Sequence, residues 1–376
     1  MIMNNFKAGI FKQQLEYKSF LPSHINRNFE INDKEILLLL EEASLYLGRL
    51  EAYSQLVPDI DLFIQMHIYK EATLSSKIEG TQATMDEAVS PEKLVMPEKK
   101  DDWSEIQNYI EAINFAKQQL TNLPISTRLI TNIHAILLQG VRGEHKNPGE
   151  IRRSQNWIGG SSLKDAFFIP PHFEDLSDLL SDLEAFWHNK NIQIPILVKI
   201  AIFHYQFETL HPFCDGNGRI GRLLIPLMLI SENILSLPSL YISSFFEKHK
   251  GSYYDSLTVV RASNNINQWI KFFLSGIIYT AKSGTTTLKN VVEFKKNLDH
   301  KIISLGARAK LAEELIRLLF TNPITNTQLV SKNLNITYGK ASRLIKELVL
   351  LGILKEKIEV EKVQYFQLNG YLDLFN

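Results

Sequence analysis

The sequence predicts an all-α fold with a β-hairpin on its body and a winged helix-turn-helix at its end. Three observations carry that prediction. Apolar residues recur at helical spacing along most of the chain, as at Leu37, Leu40, Leu47 and Leu50. One stretch, 149–171, breaks this texture. There Gly159, Gly160, Pro170 and Pro171 punctuate the chain, and Asn156-Trp157-Ile158 and Ala166-Phe167-Phe168-Ile169 flank a polar centre, the pattern of a hairpin. Finally, residues 306–376 run helix, helix, helix, then two strands around a charged turn.

Taken in order, helices are expected over 36–50 and 62–78. Residues 86–102 hold Pro91, Pro97 and a charge cluster, so they read as a surface connection. Two more helices follow at 103–120 and 127–138, the second capped by Ser126 or Thr127. After the hairpin, helices resume at 176–189 and 194–210, and another starts near Gly218 and runs to 230. The chain turns polar over 280–289, after which a long helix leads to the C-terminal module. In that module 311–320 is a helix, and Thr325-x-x-Gln328 is a capping box for a second. Thr337 opens a third that Gly352 stops, and 353–358 and 363–368 form the wing. The domains expected are an N-terminal helical region (1–100), a catalytic core (101–285), a linker helix (286–305) and the winged helix (306–376).

Composition bounds the function. With 45% apolar and 22% charged residues the chain is an ordinary globular protein, and its 376 residues suggest two or three domains. Lys and Arg number 41, as do Asp and Glu, so no global field recruits nucleic acid or membrane. Cys214 is the lone cysteine, which excludes an internal disulfide and a cysteine zinc cluster and fits a reducing compartment. The N-terminus lacks a secretory pattern. The longest apolar run, 223–230, falls short of the roughly 18 residues that span a bilayer. A cytoplasmic protein is expected.

The most informative segment runs from His211 through Pro212, Phe213, Cys214, Asp215, Gly216, Asn217, Gly218, Arg219, Ile220 and Gly221 to Arg222. Pro212 biases His211 away from helical geometry. Gly216 and Gly218 permit a tight turn with amides facing outward, and a helix then begins, so the turn is an anion site. Arg219 and Arg222, three apart, suit a polyphosphate. Asp215 is placed to hold a hard cation between phosphate oxygens. His211 can take a proton near neutral pH.

This segment resembles the signature of the Fic family: His-Pro-Phe, any residue, Asp or Glu, Gly-Asn-Gly-Arg, two residues, Arg. Every fixed position matches. The stretch from Glu71-Ala72 through Ser75-Ser76-Lys77-Ile78-Glu79-Gly80-Thr81 resembles the N-terminal region of bacterial multi-domain Fic proteins, in which a C-terminal winged helix is a common companion. The resemblance implies a helical core with a hairpin "flap", and transfer of AMP from ATP, with Mg2+, to a Ser, Thr or Tyr hydroxyl of a protein. It implies His211 as the base, Asp215 as the magnesium ligand, and Gly216, Asn217 and Gly218 as donors to the α- and β-phosphates. Arg219 and Arg222 would neutralise the β- and γ-phosphates, with Ile220 and Gly221 in the same nucleotide-binding segment. Asn156, Trp157, Ile158 and Gly159 would dock the target segment and border the ATP, and Tyr253 and Tyr254 would lie beside the adenine. Arg261 stays unassigned, and Cys214 reads as a small buried residue at a variable position. Transfer of phosphate or phosphocholine, as in some relatives, stays open, although the complete Gly-Asn-Gly-Arg segment favours adenylylation.

Ser75-x-x-x-Glu79-Gly80 matches the family's inhibitory motif. Ser75 and Glu79 share a helical face, and Gly80 suits a helix C-terminus. The resemblance implies that Glu79 pairs with Arg222, borders the nucleotide and suppresses turnover; the same glutamate could instead activate a water that removes AMP. Partners implied are a protein substrate on the flap and a second copy of the chain, as homodimer and as self-modified target. The competing class is a DNA-binding regulator with a vestigial core. Residues 306–376 hold ten Lys/Arg against seven Asp/Glu, about +3, so the module is only weakly basic. Tyr338, Lys340, Ser342 and Arg343 would face a DNA groove or a protein partner.

Overall fold

Near the N-terminus lies a feature the sequence did not announce. The computed structural model, which describes residues 6–57 and 60–375, opens with an antiparallel hairpin, β1 (Gly9–Gln13) and β2 (Lys18–Pro22), in register Gly9 to Pro22 and Gln13 to Lys18. Phe20 of β2 is buried, and its amide donates to the Ile169 carbonyl at 2.9 Å, which ties the hairpin to the flap. Residues 1–5 and 376 of the expected terminal regions lie outside the described residues.

The helical body follows. α1 (Lys34–Leu56) starts at Asp33, whose carboxylate accepts the Glu35 and Ile36 amides, and it buries Ile36, Leu40, Ala43, Leu47 and Leu50 while Leu37 faces out. α2 (Ile60–Ile78) ends before Gly80, which has φ +108. The expected connection over 86–102 is more ordered than its prolines suggested. It contains α3 (Met85–Ala88), closed by a Thr84–Glu87 capping box, and two 3-10 turns, Glu92–Leu94 and Pro97–Lys99. Next come α4 (Lys100–Gln119) and α5 (Thr127–Leu137), which Ser126 caps. After the flap come α6 (Leu176–His188), α7 (Ile196–Leu210), α8 (Asn217–Ser231), α9 (Ser243–Lys248), α10 (Lys250–Ser263) and α11 (Ile266–Ile302). Every residue of α7 from Leu197 to Leu210 is buried, so this helix is the axis of the core.

Two expectations are corrected here. The polar stretch over 280–289 is not a break: α11 runs straight through it and through the expected boundary at 285/286, because small side chains there allow close packing, with Gly284 against Leu50 of α1. The flap is not a two-stranded ladder but a single bridge between Ile158 and Phe168. Pairing stops on one side because Gly159 and Gly160 turn with φ +69 and +71, and the amides of Ser161 and Ser162 go to the Asp165 carboxylate. It stops on the other because Pro170 and Pro171 have no N–H to give.

The C-terminal module consists of α12 (Ala309–Thr321), β3 (Ile324–Asn326), α13 (Thr327–Asn333), α14 (Tyr338–Leu350), β4 (Leu354–Val360) and β5 (Val363–Leu368), with antiparallel strand order β3-β5-β4. Asn326, not Thr325, caps α13, because it is the Asn326 Oδ1 that accepts the Leu329 amide, at 2.9 Å; Thr337 caps α14 as expected. The module's core is not its own. Phe63 and Met66 of α2 and Val291, Leu298 and Ile302 of α11 pack into it. No helix among the described residues is long and apolar enough to cross a membrane.

Candidate active site

α7 ends at His211, which takes the left-handed conformation (φ 47, ψ 60) and so turns the chain out of the helix. A short loop leads to Gly216, left-handed at φ +75, and α8 begins at Asn217. The Asn217 side chain closes the loop from inside: its Oδ1 accepts the Phe213 amide and its Nδ2 donates to the Phe213 carbonyl, both at 2.9 Å. Asn156 adds donations to the carbonyls of His211 (3.1 Å) and Phe213 (2.9 Å). Asn156 and Asn217 therefore shape the loop with their side chains rather than facing the cavity. No side chain caps α8, so the amides of Asn217, Gly218 and Arg219 have no acceptor among the described residues. Free amides at a helix start are suited to an anion.

Two residues that sequence reasoning missed complete this support. Arg152 is buried with no carboxylate paired to it among the described residues. Its Nε donates to the His211 carbonyl (3.0 Å), its Nη1 to Ser154 O (3.0 Å) and its Nη2 to Pro171 O (2.6 Å). His134 stacks on Phe213 at 3.8 Å between ring centroids, and its Nδ1 accepts the Gly149 amide at 2.8 Å. The other nitrogen, Nε2, therefore carries the proton and donates to the Asp215 carbonyl at 3.0 Å. Neither residue had a signal to find it by, because one of two adjacent arginines in a loop and a lone His on a helix look like surface and core. Arg152→Lys should lower unfolding stability by about 2–3 kcal/mol, since an ammonium cannot reach three separate carbonyls, and urea denaturation would measure the loss.

A cavity of about 500 Å3 opens beside the loop. Trp157, Ile158, Phe167, Tyr254 and Leu257 form its apolar wall. Its polar floor brings together His211, Gly218, Arg222, Glu79, Glu208 and Arg261. Arg222 is fully buried: its Nη2 meets Glu79 Oε1 at 2.6 Å and Ser75 O at 3.0 Å, and its Nε donates to Ser75 Oγ at 3.0 Å. The Glu79 carboxylate lies directly over Gly218, where any Cβ would come within 2.2 Å of it. A carboxylate thus sits at the uncapped start of α8. Burial pushes its pKa up, but the charge and hydrogen bond of Arg222 outweigh burial and hold it below the usual value. His211 is driven the other way: burial first, then the positive Arg152, lowers its pKa to about 4, so the imidazole is neutral at neutral pH.

Other expected site residues lie elsewhere. Arg219 is buried and does not line the cavity; it pairs with Glu105 of α4 at 3.0 Å and reaches Asp215 at 3.5 Å. Ile220 is in the core, and the Gly221 carbonyl accepts from His204 Nδ1 at 3.0 Å. Tyr253 lies behind the wall with its hydroxyl 2.9 Å from His204 Nε2, leaving Tyr254 as the cavity's tyrosine. Asp215 is half-exposed at the loop, its Oδ1 accepting the Gly216 amide at 2.5 Å. Among the described residues no three His, Cys, Asp or Glu side chains converge into a metal site. Glu208, which the sequence reading passed over, presents a carboxyl to the cavity floor, and burial raises its pKa to about 7.

These shifts predict that the fold loses stability in acid. Burial lowers His67 and His204 to about 3 and His134 and His211 to about 4. The unfolded chain binds these protons near pH 6.5 and the folded chain does not, so this stability is full above pH 6.5 and falls as pH drops toward 4. Glu71 and Glu208, raised to about 7, and Glu105, also raised by burial, act oppositely as pH falls toward 4.5 but are fewer than the four histidines. The urea midpoint is expected to be lower at pH 5 than at pH 7.5; an equal or higher midpoint would refute the assignment.

Comparison with known proteins agrees with this geometry. Residues 37–118 match the model described as Fic/DOC family N-terminal and residues 124–229 the one described as Fic/DOC family, together half of the chain. A protein adenylyltransferase Fic of Aedes aegypti is 32% identical over 178 residues, which are 46% of this chain and 32% of the mosquito protein. A probable protein adenylyltransferase of Aquifex aeolicus is 28% identical over 196 residues, 50% of this chain and 57% of that one. The chain thus spans less than two thirds of the length of these relatives. Among solved structures, a Fic family protein from Desulfovibrio desulfuricans superposes with TM-score 0.57 at 18% identity, covering 92% of this chain and 98% of that one. A Fic-1 fragment from Caenorhabditis elegans gives 0.53 at 19%, covering 69% and 74%. At such identities these likenesses speak for the fold. The two matched models, which together cover half of the chain, make it a member of the Fic/DOC family.

Proposed function

We propose that the chain is a protein adenylyltransferase that moves AMP from magnesium-bound ATP to a Ser, Thr or Tyr hydroxyl, and that its own Glu79 restrains it. One observation carries the reading: the Glu79 carboxylate lies 2.6 Å from Arg222 at the start of α8, in the same cavity as His211. A site that binds one carboxylate there can bind phosphate there. In the transfer, the hydroxyl oxygen attacks the α-phosphorus. The bond from that phosphorus to the oxygen bridging to the β-phosphate breaks, and pyrophosphate leaves. The hydroxyl proton passes to His211, whose depressed pKa keeps the ring free to accept it. The start of α8 and Arg222 would stabilise the charge on the phosphates.

Magnesium enters as part of the substrate, and the half-exposed Asp215 carboxylate, beside the start of α8, fits it chemically. Exposed Trp157 and Phe167 on the flap support docking of an extended target segment there, and Tyr254 is suited to stack on the base. The test is mass spectrometry of Glu79→Gly after incubation with ATP and MgCl2, alone and with a cell extract. A mass increase of one AMP on a hydroxyl residue is expected. Addition of phosphate alone, or no modification of any protein, would sink the proposal.

A further inference from the structure

Arg219 and Arg222 stand three apart on α8, yet they serve different ends of the site. Arg222 turns into the cavity, whereas Arg219 turns toward α4. There it meets Glu105, a carboxylate only 2% exposed and belonging to no expected motif. The arginine's fork spans two acids: Nη1 lies 3.0 Å from Glu105 Oε2, and Nη2 lies 3.5 Å from Asp215 Oδ1. Arg142 approaches the other Glu105 oxygen at 2.9 Å. Glu105 thus holds Arg219 by the shorter contact, and Asp215 keeps the longer one.

We infer that Glu105, acting through Arg219, sets how much of the Asp215 carboxylate is free to bind a cation. It is a positioning residue, and the inference rests on the reading that Asp215 meets the magnesium of the nucleotide. The physical reason is competition. Arg219 is buried and needs an anion. With Glu105 ionised, most of that need is met at α4 rather than at Asp215. With Glu105 neutral, the remaining carboxylate within the fork's reach is Asp215, so the guanidinium closes on it and competes with the cation for its oxygens. The surroundings keep the second oxygen open: a Cβ at Gly143 would come within 3.3 Å of Asp215 Oδ2, so a glycine there leaves room for a ligand. His134 holds the Asp215 carbonyl, and the Gly216 amide donates to Oδ1.

The experiment measures the thermal midpoint of the full chain with ADP, with and without MgCl2, and titrates the magnesium-dependent increment. Glu105→Gln keeps the shape of the side chain and removes its charge. Arg219→Lys offers one ammonium where two acids need a fork. In both variants the magnesium concentration that half-saturates the increment should rise about tenfold or more, as for outer partners of metal ligands generally. In the adenylylation assay, Glu105→Gln added to Glu79→Gly should at saturating magnesium recover toward the activity of Glu79→Gly alone. Asp215→Ala should abolish the increment. If Asp215→Ala abolishes it while both other variants titrate like the parent, the role of Glu105 is overturned and the reading of Asp215 stands. If Asp215→Ala leaves it intact, the reading of Asp215 falls and the inference with it.

Discussion

Replacing Glu79 with glycine is expected to raise AMP incorporation about a hundredfold. The estimate comes from the contact. A hydrogen bond between charged groups is worth about 1.5–3 kcal/mol, which is about 10–150-fold in an equilibrium between braked and open states. At 2.6 Å, with Arg222 fully buried, the Glu79 contact belongs at the strong end. The variant should not scatter the arginine, because Ser75 holds the same guanidinium through its hydroxyl and its carbonyl. What is lost is the carboxylate over Gly218, and with it the negative charge where a phosphate must lie. Adding Ser75→Ala to Glu79→Gly should take back part of the gain, since the freed guanidinium then has nothing to orient it. Without nucleotide the single variant should melt earlier than the parent, because a buried charge has lost its counter-ion; ATP should restore more of the midpoint than it does in the parent. Labelled-AMP incorporation decides the matter: a glycine variant no more active than the parent means that Glu79 restrains nothing.

Removing the His211 imidazole in the Glu79→Gly background should reduce transfer about a thousandfold, the middle of the range for a lost general base. The choice of variant matters, because residue 211 has φ 47. Alanine in that conformation costs about 1–2 kcal/mol, whereas asparagine adopts it more readily. His211→Asn is therefore the cleaner test, with the loop geometry kept and the base gone. ATP binding, read by calorimetry, should change little, since the amides at the start of α8 and Arg222 are untouched. Transfer that survives at the parent rate would rule out His211 as the proton acceptor.

The helical body was legible because its signal is local: one apolar stripe per helix, with Ser126 and Thr337 as caps. The N-terminal hairpin was not, because β1 is exposed along most of its length and carries no alternation to read. The polar run over 280–289 misled for a different reason: small residues such as Gly284, packed close against a neighbour, have the composition of a loop. At the site, the motif named the loop and its helix, and the Ser75-Glu79 pair met Arg222 as the resemblance implied. The spacing of Arg219 and Arg222 could not show that they diverge. Their partners come from α4 and α2, over a hundred positions away, and a Glu105 on an amphipathic helix looks like any other surface acid.

α2 belongs to two cores at once. Its Phe63 packs edge-on against Phe320 at 4.9 Å and its His67 against Phe375 at 5.4 Å, while Ser75 and Glu79, one on its last turn and one just past it, grip Arg222. Beyond it, Asp86 is bound to Lys357 of β4. From Phe63 to Glu79 the span is about 24 Å at helical rise. The helix therefore joins the C-terminal module to the cavity that holds His211 and Glu79. The module cannot tilt without dragging that helix or prising one of its two seats apart.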